Sequence, residues 1–480
     1  MQFVRFPRIR VRTRRTMKPS FLYATVALLL GASAAHALPV IPGGAGYGMD
    51  TVAGRGGTVY RVTNLNASGT GSLKACIDGT TPRVCVFEVS GTIRLTADLL
   101  IRNSKITIAG QTAPSPGIAI RGAALRIQAS DVLVQHIRVR AGDDVNGPDP
   151  ANRDSLKIEG SDTKPVKNIV IDHCTFSWAI DEVASVWGPH DNITFSNNIF
   201  SEPLNQSLHE TDDGRSIEPH GFGLILGSTA SGGRVTVTGN LLAHIVERNP
   251  LARSRELVFV NNLVYDRGTM DVDLQSQDSR VTKSSVVGNV FLRGPSYARD
   301  TRPIYIRTSG SLSLILGSRV YVKDTLAPES GTSMSSLLVM TGGDVLSGLL
   351  QTTTAPVWNT GLTARSTANN AVYNRVLGYA GARPTDRDSV DKRVVQSVKD
   401  RNGQIINCVS PNGTTRCNKN AGGWPILAQH TRRLTLPTNP NTVASNGYTN
   451  LENWLHSMDL QLQGVVSAQS PIAPATLSAQ

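Results

Sequence analysis

NITFSNNIF, residues 192–200, decides the fold, because close copies of it recur along the middle of the chain. Each copy combines an alternating strand of apolar and β-branched residues, a polar corner and a second short apolar strand, which is the pattern of stacked β-structure. The other copies are DVLVQHIRV (131–139), NIVIDHCTF (168–176), RVTVTGNLL (234–242), ELVFVNNLV (256–264) and the weaker KSSVVGNVF (283–291).

The spacing of the corner residues gives the period of this repeat. Successive corners are 38, 24, 42, 22 and 27 residues apart, and they are His136, Cys174, Asn198, Asn240, Asn262 and Asn289. A period in the twenties with occasional insertions is typical of a solenoid. One coil cannot bury its inward face alone, so stacking must create the core. We therefore predict an all-β, single-stranded parallel β-helix within residues 38–325, with its coils starting at residue 58.

The corners and the long gaps between copies carry further expectations. Asn suits a corner because it tolerates left-handed backbone. Stacked Asn side chains can also hydrogen-bond along the coil axis and satisfy buried polar groups. Residues 141–167 and 202–233 interrupt the repeat, so we expect loops there that frame a functional face.

The rest of the chain is expected to support the solenoid. Residues 326–465 are predicted to form C-terminal loops and a segment that packs on it, although the pattern gives no structure for the Ser-, Thr- and Gly-rich residues 326–375. The apolar spacing in residues 388–398 indicates one short amphipathic helix. Residues 466–480 are predicted to be a disordered tail.

The N-terminus resembles an export signal. Residues 1–37 hold seven Lys and Arg, no Asp or Glu, an apolar run from Phe21 to Ala32, and the small-x-small triplet Ala35-His36-Ala37. This arrangement is typical of a cleaved signal peptide, and the apolar run is too short for a permanent membrane span. We therefore expect a secreted protein, extracellular or periplasmic, without a membrane anchor after cleavage.

The charge balance bears on the partner. Without residues 1–37 the formal charge of +12 falls by seven to +5. A mildly basic exported protein suits a polyanionic partner, although a charge that only confers solubility is equally consistent with this number. No nucleic-acid-binding motif is present in the sequence, and export argues against such a partner.

Five cysteines fall into two similar pairs and one single residue. Cys76 and Cys85 are nine residues apart, as are Cys408 and Cys417. In an oxidising compartment each pair could form a local disulfide. Cys174 lies in an apolar strand and is expected to be a buried, inert thiol.

Several motifs resemble bacterial pectate lyases, in order along residues 40–460. The most specific is DHCTFSW at 172–178, and Arg248-Asn249-Pro250 resembles the catalytic R-x-P signature of that family. The others are GGTVYRVTNL (56–65), GTGSL (69–73), IAGQTAP (108–114), GARP (381–384) with Arg387-Asp388, and GYTNLENWL (447–455). The resemblance implies a right-handed parallel β-helix, a monomer, and calcium-assisted β-elimination of polygalacturonate.

The resemblance also assigns roles to basic residues. Arg248 corresponds to the catalytic residue that abstracts the proton at C5 of the uronate. Arginine is normally protonated, so this role predicts an alkaline rate optimum. Arg253 is expected to clamp a substrate carboxylate, with Arg255 as a weaker candidate. His220 falls at a substrate-contact position, and His209 is a less secure alternative.

Three residues correspond to the family's calcium site. Asp154 and Asp181 align with carboxylate ligands, whereas Ser185 stands where many members have a third carboxylate. Fewer charges should bind calcium less tightly. Glu182 adjoins Asp181, but strand alternation predicts that it points to the opposite face.

Other functions share this fold. A pectin lyase needs no calcium, and the Asp154/Asp181 pair argues against it. A polygalacturonase needs paired acids, and the repeat strands carry no obvious pair. A non-catalytic polysaccharide-binding β-helix, or a lyase that binds without cutting, stays open because fold alone does not decide function.

Overall fold

The computed structural model describes residues 1–2, 38–211, 213–227, 232–297, 302–327, 338–341 (backbone only) and 346–465. The chain divides into two units, Met1–Ala37 and Leu38–Gln480. All but the first two described residues belong to the second unit. The predicted signal peptide (apart from residues 1–2) and the predicted tail at 466–480 lie outside the described residues.

Short strands follow one another along the described residues, as the repeat predicts. They are β1 Thr58–Val62, β2 Arg83–Phe87, β3 Gly91–Arg94, β4 Leu99–Ile101, β5 Ile106–Ala109, β6 Ile118–Arg121, β7 Leu125–Ile127, β8 Val132–Gln135, β9 Ile137–Arg140, β10 Leu156–Glu159, β11 Val166–Asp172, β12 Thr175–Ser177, β13 Glu182–Trp187, β14 His190–Ser196, β15 Ile199–Ser201, β16 Phe222–Leu226, β17 Arg234–Thr238, β18 Leu241–Ala243, β19 Leu251–Ala252, β20 Glu256–Val260, β21 Leu263–Tyr265, β22 Val272–Leu274, β23 Lys283–Val287, β24 Val290–Leu292, β25 Ile304–Arg307, β26 Arg319–Lys323, β27 Leu338–Thr341 and β28 Leu350–Gln351.

Helices are few and lie mainly near the C-terminus. The α-helices within the described ranges are α1 Leu73–Ile77, α2 Ala371–Tyr379, α3 Ser389–Asp400 and α4 Asn450–Gln463, and short 3-10 turns cover Gly110–Thr112, Pro150–Asn152, Ala368–Asn370 and Thr415–Asn418. The amphipathic helix predicted at 388–398 is confirmed as α3, with Asp388 as its N-cap.

Every strand pairs in parallel with the strand one coil away, and the described strands form three sheets. The eleven-stranded sheet runs β1-β2-β5-β8-β11-β14-β17-β20-β23-β26-β28, the nine-stranded sheet runs β27-β25-β22-β19-β16-β13-β10-β7-β4, and the eight-stranded sheet runs β24-β21-β18-β15-β12-β9-β6-β3. Since successive coils contribute strands to the three sheets in turn, the chain is a parallel β-helix, and the predicted fold class is confirmed.

The inward side chains of consecutive coils form one continuous core. Between β10 and β13, Leu156 is in register with Ala184 and Ile158 with Val186, and all four are fully buried. Alternate strand residues face inward, so each coil adds a layer of apolar side chains. Burying one such side chain contributes roughly 1.5–3 kcal/mol.

Stacked asparagines line one corner of the solenoid. The backbone amide of Asn198 donates to Asn240 Oδ1 at 2.8 Å. The backbone amide of Asn240 donates to Asn262 Oδ1 at 3.0 Å, and that of Asn262 donates to Asn289 Oδ1 at 2.9 Å. The Cys174 amide joins the ladder by donating to Asn198 Oδ1. All are buried, so these bonds satisfy backbone groups that water cannot reach. The predicted ladder is confirmed.

Two details of the predicted corner are wrong. Left-handed backbone falls on the residue before each ladder position, as at Asn197 (φ 54°) and Asn261 (φ 60°), and not on the ladder asparagines. His136 is also one residue out of register. Because Gln135 pairs with Asp172, His136 aligns with His173, and their rings stack with centroids 5.2 Å apart.

The stack extends past residue 325, where the repeat predicts its end. β27 pairs in parallel with β25, and β28 pairs in parallel with β26. Part of the stretch 326–375, which the sequence pattern left unassigned, therefore continues the coils.

A short helix covers the N-terminal end of the core. Ser72 caps α1 by accepting a hydrogen bond from the amide of Ala75. Leu73, Cys76 and Ile77 of α1 are buried in the same apolar cluster as the first coils. A disulfide joins Cys76 to Cys85 on β2 and so ties this helix to the first coils.

The C-terminal helices pack on the outside of two sheets. Val372 and Val376 of α2, with Val394 and Val398 of α3, share an apolar cluster with the eight-stranded sheet. Leu451 and Leu455 of α4 do the same on the eleven-stranded sheet, beside Val84, Val86 and Ala109.

A buried ionic network fixes α3. Arg140 Nη1 donates to Asp388 Oδ2 at 2.7 Å, and Arg140 Nη2 donates to Asp391 Oδ1 at 2.7 Å. Arg138 Nε donates to Asp391 Oδ2 at 3.2 Å. None of these side chains is more than 2% exposed. Charges removed from water need such counter-charges, so the network determines where α3 docks.

The cysteines behave as their spacing suggested. Disulfides join Cys76 to Cys85 and Cys408 to Cys417, and Cys174 is a buried free thiol. Burial raises the pKa of Cys174, so the reactive thiolate is disfavoured. Among the described helices, none combines the length and apolar character that a membrane crossing requires.

Candidate functional site

Four consecutive strands of the nine-stranded sheet bring the candidate site together. Asp154 lies two residues before β10, Glu182 opens β13, Phe222 opens β16, and Arg248 lies three residues before β19. Parallel strands stack with like ends at the same edge, so residues far apart in sequence meet on one rim of the solenoid.

Three carboxylates form a cluster at this rim. One ligand atom from each of Asp154, Asp181 and Glu182 lies within 4.8 Å of the others. Asp154 is fully buried, and its Oδ1 has no hydrogen-bond partner within the described structure. Clustered carboxylate oxygens are the ligands preferred by a hard divalent cation, and the unpartnered Oδ1 leaves one of them available.

The predicted orientation of Glu182 is wrong. Its carboxylate lies with Asp154 and Asp181, not on the opposite face. Strand alternation does not relate Glu182 to Asp181, because β13 begins at Glu182 and Asp181 belongs to the preceding loop. Leu156 pairs with Ala184. The residues two positions earlier, Asp154 and Glu182, are therefore in register on neighbouring coils.

Ser185 lies beside the cluster without adding a charge. It is fully buried on β13, and its hydroxyl donates a hydrogen bond to Asp154 Oδ2. The structure therefore brings Asp154, Asp181 and Ser185 together, and Ser185 orients Asp154.

Arg248 closes the cluster on one side. Its Nη1 donates to Glu182 Oε1, and its guanidinium lies over the Phe222 ring, 4.0 Å from the centroid. Its side chain is 22% exposed. The backbone at Arg248 is left-handed, with φ of 67°, a conformation that non-glycine residues adopt at a cost and often at functional sites. The ion pair goes to Glu182 and not to the neighbouring Glu247, which was the alternative suggested by sequence.

Both candidate histidines meet at the site. His220 Nε2 lies 2.9 Å from Asp181 Oδ1, at an angle outside the hydrogen-bond range. The His220 ring stacks on His209 with centroids 3.9 Å apart and leans on Phe222 at 4.1 Å. Burial lowers the pKa of His220, which favours the neutral ring at neutral pH.

Arg253 lies further along the same sheet. Its Nε donates to Gln275 Oε1 at 2.8 Å and its Nη1 donates to Gln277 Oε1 at 3.4 Å. Burial and then the charge of Arg248 lower the pKa of Arg253. Arg255, by contrast, is exposed.

Charge repulsion among the acids is strong. Burial raises the pKa of Asp154 well above its ordinary value, and the charges of Glu182 and then Asp181 raise it further. Burial, and then Asp181, raise the pKa of Glu182 to about 7 although Arg248 opposes the shift. The charged forms of these acids are therefore disfavoured by burial and by one another, and a bound cation would stabilise them.

The loop before β10 is held by Arg153. Its guanidinium donates to the carbonyls of Pro148, Gly142 and Asp144. Because Arg153 is buried, these hydrogen bonds fold the loop around its guanidinium group. That arrangement holds the next residue, Asp154, at the rim.

Asp172 and His173 lie away from this rim, on the eleven-stranded sheet. Asp172 accepts hydrogen bonds from His173 Nδ1 at 2.8 Å, Ser196 Oγ at 2.7 Å and Gln135 Nε2 at 3.0 Å. Gln135 and Ser196 come from the two adjacent coils, which supports the interpretation that Asp172 stabilises the stack.

Sequence reasoning missed the roles of three residues: Glu182 in the cluster, Phe222 beneath Arg248, and Lys157. Lys157 is in register with Ser185, and its charge lowers the pKa of Asp154 in opposition to the acids. Its place in the repeat could have indicated this, because it is the outward residue one coil before Ser185.

The chain is similar in sequence to fungal proteins. A protein named "Probable pectate lyase C" from Aspergillus fumigatus is 30% identical over 448 residues, covering 90% of this chain and 97% of the relative. Its counterpart from Neosartorya fischeri is 29% identical over 450 residues, with the same coverage. These relatives do not support the bacterial origin that the motifs suggested.

A solved pectate lyase variant from Bacillus subtilis has a TM-score of 0.46 and 16% identity, covering 70% of this chain and 96% of that protein. No family profile matches the chain.

Proposed function

The chain belongs to the pectate lyase family, and from that premise we propose that it cleaves polygalacturonate by calcium-assisted β-elimination, with Arg248 as the catalytic base. The observation that carries this proposal is the placement of one arginine against a cluster of three carboxylates on a single rim of the solenoid. The chain is a polysaccharide lyase. The substrate, the metal and the role of each residue are the proposal.

The reaction requires a base and a positive charge that neutralises the substrate carboxylate. The C5–H bond breaks, its electrons form the C4=C5 double bond, and the glycosidic oxygen leaves C4. The C5 proton is barely acidic, because the neighbouring carboxylate is already an anion. A bound calcium ion would neutralise that carboxylate and so stabilise the charge that develops next to it.

The residues of the rim fit a calcium ion. Asp154 and Asp181 would supply carboxylate oxygens as ligands, and Asp154 Oδ1 is buried without a hydrogen-bond partner among the described residues. Ser185 holds the other oxygen of Asp154. We assign the ion to Asp154 and Asp181, with Ser185 as an adjoining neutral group.

Arg248 suits the proton transfer through its surroundings. Phe222 covers one face of the guanidinium, and the side chain is only 22% exposed. Arginine is normally protonated, so the role of a base predicts a rate optimum at alkaline pH. In its charged form, the same group stabilises the negative charge of the transition state.

Arg253 and His220 are proposed to bind the substrate. The guanidinium of Arg253 is held by the glutamines Gln275 and Gln277 and has no carboxylate bonded to it among the described residues. A uronate carboxylate could therefore be bound through charge-assisted hydrogen bonds. The His220 ring lies between His209 and Phe222 and is 13% exposed, so its contact with a sugar would be made by the edge of the ring.

We further propose that the protein is secreted as a monomer after removal of residues 1–37. Two disulfides support an oxidising destination, because such bonds persist outside the cytosol. Residues 38–325 with the two later strands then form the catalytic solenoid, and the remainder of 326–465 packs on it.

The test is the ultraviolet absorbance of the unsaturated product when the chain from residue 38 acts on polygalacturonate at alkaline pH. We expect calcium-dependent absorbance that chelator abolishes and that Arg248→Ala lowers by about 100-fold or more. New reducing ends without absorbance would mean hydrolysis. Cleavage of methylated substrate without calcium would mean a pectin lyase, and binding without cleavage of either substrate would mean a non-catalytic protein.

A further inference from the structure

Position 185 leaves the acidic cluster one charge short of the pattern that the sequence resembles. Ser185 is neutral, and its hydroxyl is committed to Asp154. Glu182, one residue after Asp181, brings a third carboxylate to within 4.8 Å of Asp154 and Asp181. The missing charge is thus supplied from a different position in the chain.

Glu182 already has a partner, which is Arg248. Its side chain is 4% exposed, and a carboxylate so deeply buried is costly without a counter-charge. In this structure Arg248 provides that charge. The contact also holds the guanidinium on the Phe222 ring and turns its hydrogen-bonding capacity toward the protein.

A second observation indicates that the cluster is incomplete in itself. Asp154 is fully buried, and its Oδ1 has no hydrogen-bond partner among the described residues, although the carboxylates of Asp181 and Glu182 lie beside it. Arg248 is bonded to one of the three carboxylates, and Lys157, in register with Ser185, is a second positive charge nearby. A divalent cation would offset the repulsion that remains among the carboxylates.

We propose that Glu182 exchanges partners: it is the third carboxylate ligand of the divalent cation, with Asp154 and Asp181, and it releases Arg248 toward the substrate when the cation is held. This inference rests on the proposed function, since it concerns the same site. It makes Arg248 and the cation competitors for one carboxylate, and such linkage is reciprocal. Removing Arg248 must therefore strengthen cation binding.

Calorimetric titration of Ca²⁺ into the chelator-treated protein tests the exchange without relying on activity. Glu182→Gln should weaken Ca²⁺ binding about 10-fold or more, and adding Ser185→Asp to that variant should restore most of the loss. Arg248→Ala should tighten Ca²⁺ binding about 5-fold or more. Circular dichroism and thermal melting of each variant exclude misfolding.

Arg253→Ala is the matched control for simple loss of positive charge. It removes a neighbouring guanidinium that is bonded to glutamines and not to Glu182, so it should tighten Ca²⁺ binding less than Arg248→Ala. In the Glu182→Gln background, the advantage of Arg248→Ala over Arg253→Ala should disappear.

The outcomes separate two failures. If the unsubstituted protein does not bind Ca²⁺, the calcium part of the proposed function is overturned together with the exchange. If it binds Ca²⁺ but Glu182→Gln has the same affinity, only the ligand role of Glu182 is overturned. If Arg248→Ala tightens binding no more than Arg253→Ala does, the two groups do not compete and the release of Arg248 is overturned.

Discussion

Arg140 Nη1 donates to Asp388 Oδ2 at 2.7 Å in a place where both side chains are 98% buried. Arg140 ends β9, and Asp388 caps the helix α3. A single ion pair therefore joins the middle of the solenoid to a helix 248 residues later in the chain.

Replacing Asp388 should destabilise the protein strongly. Asp388→Ala leaves Arg140 with one fewer counter-charge in the interior, and breaking a buried pair in this way costs about 3–5 kcal/mol. Urea unfolding followed by circular dichroism measures the change. The control is Asp78→Ala, since its pair with Lys74 is 55% and 43% exposed and is worth less than about 1 kcal/mol. Equal effects from the two substitutions would contradict the role assigned to the buried network.

Acid should weaken the same contact. Burial alone would raise the pKa of Asp388, but the charges of Arg140 and then Arg138 outweigh it and hold the pKa well below its usual range. A group with a depressed pKa stabilises the fold fully above its unfolded value of about 3.9, and the stabilisation is lost as the pH falls through the folded value. The melting temperature should thus fall below pH 4 more steeply in the unsubstituted protein than in Asp388→Asn. If the melting temperatures of the two proteins fell in parallel down to the lowest pH, the prediction would be contradicted.

Replacing Arg253 should affect substrate binding more than turnover. Lysine keeps the charge but not the paired donors, so Arg253→Lys should raise KM for polygalacturonate by about 10-fold, with a smaller change in kcat. Steady-state kinetics on substrates of defined length provide the measurement. Arg255→Lys, at an exposed position two residues later, should change neither constant. A fall in kcat alone would place Arg253 in the transition state instead.

The solenoid could be predicted from sequence because its signal is local and repeated. Each copy carries its own strand, corner and second strand, and the corner asparagines report the stacking directly. The left-handed residue escaped prediction because Asn occupies both neighbouring positions, 197–198 and 261–262, and the sequence does not show which of the two bends the chain. The ion pair between Arg140 and Asp388 could not be predicted either, because no sequence pattern links two charges that are 248 residues apart.

Only those residues of the site that correspond to positions of a known motif were predicted from the sequence. Asp154, Asp181, Ser185, His220 and Arg248 meet on one rim, which residue-by-residue correspondence to known lyases suggested. Glu182 was placed on the wrong face because alternation was applied across the first residue of a strand. The role of Phe222 was missed because nothing in the sequence around an aromatic residue at the start of a strand indicates that Arg248 lies over its ring.

The helix at the N-terminal end of the coils has a consequence for self-association. A parallel β-stack ends in unpaired backbone groups that template the addition of another chain, as in amyloid growth. Here α1 seats Leu73, Cys76 and Ile77 over the end of the core, and the Cys76–Cys85 bond keeps them there. The terminal coil thus presents a second molecule with a helix in place of open apolar layers, and this helix opposes end-to-end fibre formation at high protein concentration.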